Sequence, residues 1–111
     1  MAYDEELAER IRELIGKGPG VTERRMFGGL AFLVEGNMAL AVSGQGGLMV
    51  RVDPVEGGAL VDDVRVSPMV MRGRELDGWL RVTAEAVADD GALREWSDRG
   101  AEYARSLPPK R

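Results

Sequence analysis

Residues 25–52 read RMFGGLAFLVEGNMALAVSGQGGLMVRV, and the choice of fold is made in this stretch. Three apolar runs of strand length, residues 30–34, 38–43 and 48–52, are separated by Glu35-Gly36-Asn37 and Gly44-Gln45-Gly46-Gly47. Short runs rich in Val, Leu and Phe, bounded by glycine and asparagine, are strands joined by tight turns. Connections this short leave no room for a crossover, so the neighbours are antiparallel. Just upstream, residues 21–27 form a first strand or an extended edge, bent by Gly28-Gly29. The segment Gly44-Gln45-Gly46-Gly47 lacks the third glycine of a dinucleotide fingerprint. It also runs into a strand, so a pyrophosphate would find no helix N-terminus to sit on.

Moving outward, Leu7, Ile11, Leu14 and Ile15 line one side of a helix over residues 3–17, with Asp4, Glu5 and Glu6 at its positive end. Gly16-Lys17-Gly18-Pro19-Gly20 stops it. After the meander, Asp53-Pro54-Val55-Glu56 combines an N-cap, a first-position proline and an acid able to close a capping box. Gly57-Gly58 keep that helix short, because each glycine costs roughly 1 kcal/mol in a helix interior. Residues 64–71 and 79–82 read as two further strands joined by a polar turn over 73–78. Pro68 places the first of them at an edge or marks a bulge there, since proline cannot donate a ladder hydrogen bond. A last helix starts at Asp89-Asp90 and stops before Pro108-Pro109. Its predicted inward face carries Leu93, Trp96, Tyr103, Ala104 and Leu107, with Trp96 and Tyr103 as core residues.

The expected fold is therefore α+β: a two-layer α/β sandwich with an antiparallel sheet of about five strands and two main helices on one face. A chain of 111 residues makes one domain. It contains neither cysteine nor histidine. Disulfides, thiol nucleophiles, the usual zinc sites and histidine acid–base catalysis are all excluded for one chain acting alone. The serines have no base to activate them, and the acid pairs Glu5/Glu6, Asp62/Asp63 and Asp89/Asp90 read as caps or solvated surface. No catalytic residue, metal site or cofactor is expected, and the protein is read as a non-enzyme. A net charge of −4 speaks against a general phosphate-binding surface. The acidic N-terminus is unlike a signal peptide and no run reaches membrane-spanning length, so a cytoplasmic protein with no membrane contact is expected. Lysine occurs only at positions 17 and 110, the usage of a GC-rich bacterial genome.

Strand alternation divides the meander into two faces. Leu30, Phe32, Val34, Met38, Leu40, Val42, Leu48, Val50 and Val52 form one set; Ala31, Leu33, Ala39, Ala41 and Met49 form the other. Five strands at ~4.8 Å make a sheet some 24 Å wide, and two helices of ~10 Å diameter cover one face of it. The second face is also apolar, which is unusual for a face left to water. A partner should cover it, most simply a second copy of the chain or else another regulatory protein. A bulge would reassign these faces. Arg24, Arg25, Arg51, Arg72, Arg74 and Arg81 are the recognition candidates, with Arg25 and Arg51 as a possible anion patch; cross-strand ion pairs are the stronger reading of them. Met26, Met38, Met49, Met69 and Met71 read first as filling an irregular core and second as softening an adaptable interface.

Arg25-Met26-Phe27-Gly28-Gly29, Phe32, Gly36-Asn37-Met38 and Leu48-Met49-Val50-Arg51-Val52 resemble the TfoX/Sxy N-terminal domain family. So do Val87-Ala88-Asp89-Asp90 and Ala104-Arg105-Ser106-Leu107-Pro108, and the likeness extends over nearly the whole chain. It implies a sandwich similar to type III secretion chaperones, in the order helix, strands, short helix, two strands, helix. Full-length members regulate competence genes with the cyclic-AMP receptor protein and carry a C-terminal domain that is not expected here. The family supplies no catalytic residues; what carries over is Phe27, Gly28 and Gly29, turning and anchoring the backbone. The resulting expectation is a transcription-regulator-like interaction module. Its candidate contacts are Arg24, Arg25, Phe27, Gly28, Gly29, Leu33, Met49 and Arg51. A direct nucleic-acid-binding regulator, a small-ligand binder and an unrecognised enzyme are the alternatives.

Overall fold

The computed structural model describes residues 3–26 and 28–109. The chain runs α1 (Glu5–Ile15), β1 (Val21–Met26), β2 (Gly29–Val34), β3 (Asn37–Val42), β4 (Leu48–Arg51), α2 (Pro54–Leu60), β5 (Val66–Met71), β6 (Arg74–Val82) and α3 (Asp90–Ser106), with one 3-10 turn at Glu85–Val87. Six strands, not about five, form one antiparallel sheet in the order β1-β2-β3-β4-β6-β5. The extra strand is the segment read as a strand or extended edge, which pairs with β2 along its whole length. Pro68 lies on β5, the opposite edge, where its missing N–H costs nothing.

Each helix starts where a carboxylate takes up free backbone donors. Asp4 accepts from the Leu7 amide, Asp53 from Val55 and Asp89 from Ala92. The predicted turn over 73–78 is corrected. Arg72 and Gly73, both at positive φ, make a two-residue hairpin turn, and β6 begins at Arg74. The residues read as turn are strand, with an irregularity between Pro68 and Val70 where the β5–β6 register shifts.

All three helices contribute to one core, against one face of the sheet. Leu7, Ile11 and Ile15 of α1 meet Leu93, Ala101 and Ala104 of α3, together with Phe32, Leu40, Val50 and Leu80 of the strands. Arg12 ties α1 to β1 through a two-pronged pair with Glu23, at 2.6 and 2.8 Å. That pair holds the Glu23 carboxyl below its ordinary range. The inward face of α3 is Leu93, Ser97, Gly100, Ala101 and Ala104. Trp96 and Tyr103, expected in the core, are half-buried at its flanks. The small residues at 97, 100 and 104 let the helix settle so close that a Cβ on Gly100 would lie 2.6 Å from the Ala39 carbonyl oxygen. Large rings could not occupy that seam. Among the described residues no helix is long and apolar enough to cross a membrane.

Candidate functional site

Among the described residues no helix lies over the second face of the sheet. Register defines its members: Arg24 opposite Ala31, Ala31 opposite Ala41, Leu33 opposite Met38, Ala41 opposite Met49, Met49 opposite Arg81 and Arg51 opposite Trp79. Ala31, Leu33, Ala41 and Met49 form a second apolar cluster, separate from the main core, with Met26, Met38 and Met69 packed against it.

One expected assignment changes. Met38 belongs to this open face and Ala39 to the helix side, because Phe32 pairs with Leu40 while Leu33 pairs with Met38. Ala39 is thus the extra residue of a β-bulge, and a one-residue insertion exchanges the faces of what lies beyond it.

The open face holds a shallow apolar groove of about 190 Å³. Met26, Met38, Met49, Met69 and Met71 border it, with Ala41, Leu76 and Trp79. Five of the chain's six methionines therefore converge on one place outside the main core. The reading of these residues as fillers of an irregular core is corrected accordingly. Ala31 and Ala41 form a floor, and long thioether side chains lie over it instead of a helix. Methionine has three rotatable bonds and no branch, so such walls re-pack at little cost.

An adjoining depression of about 330 Å³ shares Met26, Met38 and Trp79 with the groove and adds Arg24, Leu33, Asn37 and Arg51. The Arg51 guanidinium lies 5.7 Å from the ring centres of both Trp79 and Tyr103, which fixes it at the end of the sheet. Arg81 borders a third depression, beside Gln45, Gly47 and Ser67. None of the three has an aspartate or glutamate in its lining.

The predicted pairing of Arg25 with Arg51 is not made. Arg25 sits opposite Leu30 on the helix-bearing side, whereas Arg24, opposite Ala31, shares the open face with Arg51. Nor do cross-strand ion pairs account for the strand arginines. Among the described residues the ion pairs are Arg10–Asp90, Arg12–Glu9, Arg12–Glu23 and Arg99–Glu95, all of them involving helix residues. Leu33 and Met49 belong to the open-face cluster. Gly28, at φ 75°, completes the β1–β2 turn; a Cβ on Gly29 would come within 2.2 Å of the Val42 carbonyl oxygen. Phe27 lies outside the described residues.

Two of the acid pairs serve the backbone through one member each, Asp89 as the cap of α3 and Asp62 in the loop before β5. One Asp62 oxygen accepts from the amides of Val64, Arg65 and Val66, which pulls its pKa down. Sequence reasoning ranked an adaptable methionine interface second and did not place the five on one groove. Its signal was there: Met26, Met38 and Met49 sit on β1, β3 and β4 of one sheet, but their shared face depended on a bulge.

A family model described as the TfoX N-terminal domain matches residues 13–104. No curated protein and no solved structure matches the chain.

Proposed function

The chain belongs to the TfoX N-terminal domain family, and on that footing we propose that it is a regulatory interaction module, without catalysis of its own, that presents the open sheet face to a protein partner. One observation carries the reading. All the helices pack on one side, leaving a methionine-walled face whose depressions contain arginines and no acids. A catalytic pocket would need convergent nucleophiles or acid–base groups, and a sequence free of cysteine and histidine offers few. A contact surface needs only apolar area, adaptable side chains and a polar rim. Control of transcription, the process in which full-length relatives act on competence genes, is where we place this contact.

The test is complementation. Deleting the gene in its native cell should change the level of a set of transcripts, and the wild-type chain should restore them. Met71→Glu, at an exposed position in the groove wall, and Arg24→Glu, on its rim, should each fail to restore them while folding normally. Arg94→Glu, exposed on the helix side, should restore them fully. Full restoration by both open-face variants would refute the proposal.

A further inference from the structure

We infer that the open face takes an acidic amphipathic helix from a partner protein. This rests on reading that face as a contact surface and adds the chemistry of its occupant. Charge is the first argument. The chain carries a net −4, yet Arg24, Arg51 and Arg81 stand on this face with no carboxylate in the depressions they line. The arginines that have acid partners belong to the helices. Guanidinium groups held beside an apolar surface, one of them fixed between two rings, are prepared for carboxylates that arrive with apolar side chains.

Two copies placed face to face would instead bring two sets of these arginines together with no acid between them. Such like-charge contacts oppose association. Among the described residues a nucleic-acid strand would find one aromatic ring lining these depressions, Trp79, where stacking surfaces use several, and the methionine-walled groove itself holds no cation for a phosphate.

Shape is the second argument. The floor is alanine and the walls are methionine, the composition of grooves that accept helices of varied sequence. From β1 to β5 the face spans five inter-strand steps, roughly 24 Å at ~4.8 Å each, the length of a helix of about 16 residues.

The experiment uses the full chain and a fluorescein-labelled 16-residue peptide with leucines at helical three- and four-residue spacing and glutamates elsewhere. Its companions are the same peptide with lysine for glutamate and a 16-nucleotide oligothymidylate. Anisotropy should show saturable binding of the acidic peptide, at least tenfold tighter than either companion. Arg24→Glu combined with Arg51→Glu, shown to be folded by circular dichroism, should weaken it at least tenfold and improve binding of the lysine peptide. In a Trp96→Phe background, Trp79 emission should shift on binding. No binding, equal binding of the lysine peptide or tighter binding of the oligonucleotide would overturn the inference. So would a dimer in light scattering that Met71→Glu disrupts and the peptide does not displace. If the peptide fails while Met71→Glu still abolishes complementation, the occupant is wrong and the contact surface stands. If Met71→Glu and Arg24→Glu both complement fully, the surface itself falls.

Discussion

Glycine to alanine at two helical positions should change stability in opposite directions. In a helix interior the substitution by itself gains up to about 1 kcal/mol, because alanine loses less backbone freedom on folding. At Gly58 of α2 a new Cβ meets nothing within 4 Å, so most of that gain should appear. At Gly100 of α3 it would lie 2.6 Å from the Ala39 carbonyl oxygen, 3.2 Å from the carbonyl carbon and 3.3 Å from Val50 Cγ1. The nearest obstacle is backbone, which cannot rotate away, so α3 must lift by several tenths of an ångström along its contact with β3. Overpacking of this kind costs typically about 1–3 kcal/mol, which outweighs the helix gain. Gly100→Ala should therefore lower stability by about 1 kcal/mol or more, a fall in Tm of on the order of 5 °C for a domain of this size. Gly58→Ala should raise Tm by a few degrees. Thermal and urea unfolding followed by circular dichroism measure both. If Gly100→Ala stabilises the protein as much as Gly58→Ala, α3 does not rest on the Ala39 bulge and the account of the core fails.

Ser97 is fully buried on α3 and its hydroxyl has no partner among the described residues. Ser97→Ala should raise the urea midpoint, by an amount equivalent to about 1 kcal/mol, through relief of an unmet hydrogen bond. Asn37 donates through Nδ2 to the Pro108 carbonyl at 2.9 Å; Asn37→Ala should cost about 1 kcal/mol and speed amide exchange in the last turn of α3, read by mass spectrometry. The folded-state pKa values of Glu23 and Asp62 are depressed, the first by the Arg12 pair and the second by three backbone amides. Their stabilisation is then fully present above the unfolded carboxylate values of about 4 and is lost as pH falls through the lower folded values. Tm should decline below about pH 4, and Asp62→Asn should flatten part of that decline. A Tm that instead falls between pH 8 and 5 would contradict this, since no histidine is present to titrate there.

Element types were legible because each is written locally. The caps at Asp53 and Asp89 and the turn at Glu35-Gly36 depend on a few neighbouring residues. Which strands stand at the edges was legible too, since Pro68 allows little besides an edge or a bulge. The faces were less so. Reading the inner stripe of α3 by bulk favoured Trp96 and Tyr103, whereas close seating on a sheet selects small residues, and Ser97, Gly100 and Ala104 at intervals of three and four were the signal. The arginines misled for a similar reason. Acids are as numerous as arginines over residues 23–81, but most of them lie outside the strands, Glu23 is engaged by α1 from the other side, and composition carries no information about side.

The bulge at Ala39 links the seating of α3 to the make-up of the groove. Had β3 alternated regularly, Met38 would have turned into the main core and Ala39 would have faced outward. The open groove would then lack one of its walls, and a methionine would lie beneath α3 where the seam leaves room only for small groups. With the extra residue, Ala39 faces the helix side and its carbonyl comes against Gly100, while Met38 joins Met26 and Met49 across the sheet. Helix seating and groove composition thus both follow from the bulge in β3. Deleting Ala39 would leave Leu33 opposite Met38 and Phe32 opposite Leu40 in a regular ladder, so it should keep Met38 in the groove and disturb the seat of α3, whereas Met71→Glu should damage the groove alone. A deletion variant that keeps wild-type stability would mean that α3 does not depend on the bulge.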